Sequence, residues 1–102
     1  MGLLDIFFKK DQTRSPLVSY SGGDGTTEAN AVVINAGTSM IGIPAEYAWL
    51  RNRFGERGKD WESQMHAHGS RDNGKVIEFH EIGLADGTMQ KIYFEISSFY
   101  GK

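Results

Sequence analysis

The residues with chemistry to offer are the three histidines at 66, 68 and 80, together with Glu78, Tyr93 and Glu95. His66-Ala-His68 spaces two imidazoles so that a strand presents both on one face, as metal sites do. His80 or Glu78 on the following strand could add a third ligand if the connection at Asn73-Gly74 had the right register. A two-residue turn there pairs Ala67 with His80 and leaves His66 and His68 on the opposite face, where polar side chains of a half-covered sheet need no ligand. No metal or other cofactor is expected.

Acid–base work is the other reading of these residues. His80 beside Tyr93, flanked by Glu78 and Glu95, could donate or abstract a proton. Two glutamates directly opposite one another would repel, which raises one carboxyl pKa. The chain has neither Gly-x-Ser-x-Gly nor His-Glu-x-x-His, and no nucleophile stands out. His80, Tyr93, Glu78, Glu95, His66 and His68 are therefore candidate ligand-binding residues with no reaction assigned. Gly22-Gly-Asp-Gly25 has the look of a phosphate-cradling loop, but no third glycine stands at Glu28, no Lys-Ser or Lys-Thr pair follows, and a strand comes next. A plain turn, with Asp24 bonding the local backbone, is expected.

Two hairpins must position these groups. Residues 75–84 and 88–97 are rich in β-branched and aromatic types, and Asp86-Gly87 between them favours a two-residue turn. That turn makes Ala85 oppose Thr88, Phe79 face Phe94 and Ile77 face Ile96. An apolar side then meets the helix, and Glu78, His80, Tyr93 and Glu95 fall on the other side. Ile82 and Leu84 are out of phase with Phe79, which predicts a bulge near His80-Glu81.

Upstream, residues 16–21 and 31–36 read as two strands. A helix is predicted over 44–54, with Pro44 at its first position, Glu46 in its first turn and Gly55 ending it. Ile43, Tyr47, Leu50 and Phe54 form its apolar stripe, and Trp49 lies at the flank. Residues 61–68 alternate Trp, Ser, Met, Ala against Glu, Gln, His, His, the period of a half-buried strand. The order is ββαβββ. It predicts an α+β fold, one main helix on a curved antiparallel sheet of four or five strands, in a single domain over 1–102 whose first 15 residues form an N-terminal segment.

Composition narrows the function classes. At 102 residues with 39% hydrophobic and 24% charged side chains, the chain can bury one core without metal or disulfide staples. A formal charge of −2 and no basic run longer than Lys9-Lys10 argue against a nucleic-acid partner. Cysteine is absent, which removes disulfides and thiolate ligands and agrees with a reducing cytoplasm. The apolar stretch from Leu3 to Phe8 is too short for a signal-peptide core, and no run approaches the ~20 apolar residues of a membrane span. Leu4, Phe7 and Phe8 can instead dock on the domain or on a second copy, and Trp49 and Trp61 complete the candidate interface residues.

Tyr20-Ser-Gly-Gly-Asp-Gly-Thr-Thr27, Asn30-Ala-Val-Val-Ile34, Ala45-Glu-Tyr47 and Tyr93-Phe-Glu-Ile-Ser-Ser-Phe-Tyr-Gly-Lys102 resemble segments of small uncharacterised bacterial proteins, some of them encoded on mobile gene cassettes. The resemblance implies a bacterial cytoplasmic domain and carries no activity. On these grounds the chain is expected to be a small binding or interaction module, self-associating as a homodimer, rather than an enzyme. The alternative is a ligand-binding protein, or a hydrolase or isomerase, with a small-molecule pocket between helix and sheet.

Overall fold

The computed structural model describes residues 17–102, so Leu4, Phe7 and Phe8 lie outside the described residues. The elements are β1 (Ser19–Gly22), β2 (Val32–Asn35), α1 (Ser39–Phe54), β3 (Trp61–Ser70), β4 (Val76–Leu84) and β5 (Met89–Glu95). They keep the ββαβββ order and form an α+β fold, one helix on a five-stranded sheet ordered β1-β2-β5-β4-β3. All pairs are antiparallel except β2 with β5, which meet in parallel at Val32–Phe94 and Val33–Glu95. The sheet is therefore mixed, because the long excursion through α1, β3 and β4 lets β5 return beside β2 in the same direction.

Helix α1 starts at Ser39, five positions before the proline expected to open it. Thr38 caps it, with extended backbone and a hydroxyl oxygen that accepts from the Ile41 N–H at 3.3 Å. Pro44 thus sits inside the helix and cannot donate to the Met40 carbonyl. Both residues are exposed, so water can take the acceptor that proline leaves unpaired. The buried positions are Gly42, Ala45, Glu46 and Leu50, while Ile43 is half exposed. Gly42 explains this rotation of the stripe: a Cβ there would lie 2.4 Å from the Phe99 ring, so the missing side chain lets the C-terminal turn press against the helix. Gly55 ends the helix as expected, at φ 108°.

Both hairpins close with three-residue loops instead of two. Leu84 pairs with Thr88 around Ala85-Asp86-Gly87, and Arg71 pairs with Lys75 around Asp72-Asn73-Gly74. Gly87 and Gly74 take positive φ, and the Asp86 and Asn73 side chains accept from the backbone N–H of Thr88 and Lys75. One extra loop residue shifts each register by one, which turns side chains to the opposite face. Phe79 faces Tyr93 instead of Phe94, and Ile77 faces Glu95. Glu78 and His80 consequently point toward α1, while Tyr93 and Glu95 stay on the outer face. The expected grouping of those four residues is thereby broken.

The predicted bulge is also relocated. Strand β4 pairs regularly with β5, and the irregularity lies in β3 between Ser63 and Met65, at Gln64. Before it, Trp61 and Ser63 oppose Leu84 and Ile82; after it, His66 and His68 oppose His80 and Glu78. The extra residue changes the inward set from odd to even numbers, so Met65 and Ala67 turn outward and both imidazoles turn toward the helix side.

The core joins Val32, Ile34, Leu50, Trp61, Ile82, Ile92, Phe94 and Phe99. Trp61 is only 2% exposed, and its indole N–H donates to the Gly55 carbonyl at 2.8 Å, so it locks the end of α1 and offers no interface. Trp49 is half-buried, edge-on to Phe94 with ring centroids 5.6 Å apart. No described helix is long and apolar enough to cross a membrane.

Candidate active-site cleft

A cleft of about 290 Å³ opens between the first half of α1, the β3/β4 hairpin and the C-terminal turn. Ile43, Tyr47, Ile96 and Phe99 give it apolar walls, and His66, His68 and Tyr100 stand on its rim. Ser39 ties the turn to the helix, its hydroxyl donating to the Phe99 carbonyl at 3.1 Å.

Three acid–base groups meet at the cleft floor. Glu46 comes from α1, and Glu78 and His80 lie two residues apart on the inward face of β4. One ligand-type atom from each falls within 4.8 Å of the other two. The Glu46 and His80 side chains are each 1% exposed, and Glu46 Oε1 lies 2.9 Å from His80 Nε2. A carboxyl oxygen of Glu46 and one of Glu78 lie within 4.8 Å of each other, close enough for two buried negative charges to repel, which favours the protonated form of one of them. Glu78 reaches the cleft with a 12% exposed side chain, and its Oε2 lies 3.3 Å from His66 Nδ1.

Burial pushes the Glu46 carboxyl up to about 7. Burial likewise raises Glu78 to about 7, helped by the adjoining Glu46 carboxyl and its negative charge. His80 is moved the other way, since burial disfavours imidazolium.

The His80 Nδ1 atom is buried without a hydrogen-bond partner among the described residues. If Nε2–H donates to Glu46, Nδ1 is a bare lone pair; if Glu46 donates instead, Nδ1 carries a proton with no acceptor. An unmet donor is the rarer and costlier defect, so we assign the neutral Nε2–H tautomer, with Glu46 accepting. Rings enclose this imidazole: Tyr47 and Phe94 meet it edge-on, and His66 stacks on it at 5.4 Å. His80 is therefore a positioning residue for Glu46, and Glu78 is the group a cleft ligand would touch.

Of the candidates read from the residues, His66, His68, Glu78 and His80 come together here, with His68 held by Tyr100 at 3.0 Å. Tyr93 packs on Phe79 on the other sheet face. Glu95 lines a separate outer groove of about 590 Å³, where Lys75 and Arg71 are already paired with Glu95 and Glu28. Asp24 forms the expected local turn, accepting from the Thr26 N–H at 3.0 Å. Glu46, Tyr47 and Tyr100 are the cleft residues that sequence reasoning missed. For Glu46 the only signal was an acidic residue beside Ala45 and Tyr47 on a helix, which reads equally as a solvated first turn. Comparison with protein-family models, with curated proteins and with solved structures finds no match to this chain, so the chemistry of the cleft is read from its geometry.

Proposed function

We propose that the chain binds a small, mainly apolar molecule in the helix–sheet cleft and can exchange a proton with it through Glu78. The observation that carries this reading is the close Glu46–Glu78 carboxyl pair, anchored by buried His80, at the floor of a concave apolar cleft. A carboxyl pair within 4.8 Å suits proton transfer of the isomerase or water-activating hydrolase type. The lack of cysteine supports placing the protein in a reducing cytoplasm, in keeping with the bacterial origin that the resemblance implies.

The test is a fragment screen on the metal-free protein, read by NMR. Saturable shifts centred on Tyr47, Ile96 and Tyr100, lost in Glu78→Gln, are the expected result. No binding, or binding confined to the outer groove, would overturn the reading.

A second reading, self-association as an interaction module, draws on β3. This ten-residue strand ends the sheet, its outer edge has no strand neighbour among the described residues, and Met65 on it is exposed. Sedimentation showing a strict monomer at micromolar concentration removes the homodimer.

A further inference from the structure

We infer that Glu46, Glu78 and His80 form a binding site for a borderline divalent metal ion, of which Zn²⁺ is the type, with His66 closing the set from the cleft rim. This goes beyond small-molecule binding: the ion would sit between the two buried carboxyls.

Three observations point to it. First, the donors are two carboxylates and an imidazole, brought from α1 and β4 to within 4.8 Å of one another. Ligands of one small ion must lie close together in this way, whereas solvated acidic groups drift apart. Second, the site is buried, and the two carboxyl groups share the same 4.8 Å neighbourhood. Only a proton or a cation can sit between such groups without severe repulsion. Third, His80 is bonded at one nitrogen only, and its Nδ1 has no partner among the described residues. Nε2 can therefore hand its lone pair to a metal by passing its proton to Nδ1 without breaking a second hydrogen bond, at the cost of a buried N–H with no acceptor.

The donor chemistry selects the ion. Imidazole nitrogen with carboxylate oxygen suits Zn²⁺, Co²⁺ or Mn²⁺, while Ca²⁺ and Mg²⁺ prefer all-oxygen shells and Cu⁺ prefers the sulfur that is absent here. His66 Nδ1, already 3.3 Å from Glu78 Oε2 and with its ring stacked on His80, is the nearest further nitrogen. The cleft supplies an entry path and an open position. Because nothing accepts from Nδ1, affinity should fall short of a fully supported site by about 10- to 100-fold.

The experiment uses the full chain, stripped with chelator and titrated with Zn²⁺ by calorimetry and with Co²⁺ by visible absorption. One equivalent should bind, with Co²⁺ bands of a four- or five-coordinate ion, and Glu78→Gln should weaken binding at least ~10-fold. No saturable binding, or a Glu78→Gln protein that binds as the parent does, overturns the site. Binding that needs His66 and His68 but not Glu78 also overturns it, since two strand histidines alone would then account for the metal. Should Glu78→Gln fail to fold, the imidazole ¹⁵N shifts of His80 in the parent decide: a large shift on adding Zn²⁺ supports the site, and an unmoved signal rejects it. Failure here with fragments still bound in the cleft leaves the small-molecule reading standing, and the converse leaves the metal.

Discussion

Glu46 of α1 and His80 of β4 meet at 2.9 Å with both side chains 1% exposed, a buried polar link between the helix and the hairpin floor of the cleft. The contact spans 34 positions of sequence, so it reports directly on docking of helix to sheet.

Truncating that link should be costly. Glu46→Ala leaves His80 buried with neither nitrogen bonded, an expected loss of about 2–4 kcal/mol. Glu46→Gln keeps an acceptor for Nε2–H and should cost less than about 1.5 kcal/mol. Urea denaturation of the two variants compares them, and equal losses would show that the hydrogen bond to His80 does not matter.

The carboxyl pair sets a pH dependence with a definite sign. Glu46 and Glu78 are pushed up to about 7 in the fold, above the usual 4.5, so the folded state holds a proton that the unfolded chain releases. The stability this contributes is full below the unfolded value and is lost as pH rises through about 7. His80, lowered by burial, has the opposite trend, with stability lost as pH falls through its folded value. Comparing parent with Glu78→Gln in the presence of EDTA isolates the carboxyl part. The parent should weaken relative to the variant between pH 5 and pH 8. A constant difference across that window would mean that the carboxyls hold no proton.

Gly42→Ala sets helix propensity against packing. Alanine favours a helix interior by about 1 kcal/mol, yet its Cβ would stand 2.4 Å from the Phe99 ring, and overpacking typically costs about 1–3 kcal/mol. Contact at that distance must move the ring, so the packing cost should win and the melting temperature should fall. Because Phe99 lines the cleft, resonances of Ile96 and Tyr100 should shift as well. A rise in melting temperature would show that the turn gives way freely.

Deleting Gln64 tests the bulge. Gln64 is the position skipped in the β3–β4 register, so its deletion leaves a regular alternation in which Trp61, Ser63, His66 and His68 all stay on the inward face. The indole fluorescence and the His66–His80 contacts should therefore be retained. A red-shifted indole, or loss of the His66–His80 contacts, would show that the bulge itself is needed to hold the strand.

Some of this protein is determined by local chemistry in the chain. The ββαβββ order follows from β-branched and aromatic runs, from glycine at residues 55, 74 and 87, and from helical periodicity over 44–54, all properties of neighbouring residues. His66, His68, Glu78 and His80 stand out as candidates for the same reason, their residue types and spacing. Tertiary structure alone decided which of them meet. Asp86-Gly87 and Asn73-Gly74 are compatible with two- or three-residue loops, and the choice between them moves every side chain of a strand to the opposite face. The bulge at Gln64 answers to the burial of Trp61 on one side and to cross-strand pairing with His80 on the other. Glu46 reads as a solvated helix charge until Gly42 lets Phe99 approach and turns that face inward. Strand registers and helix rotation are set by which apolar surfaces fit together across the core, and that fit depends on residues far apart in the chain.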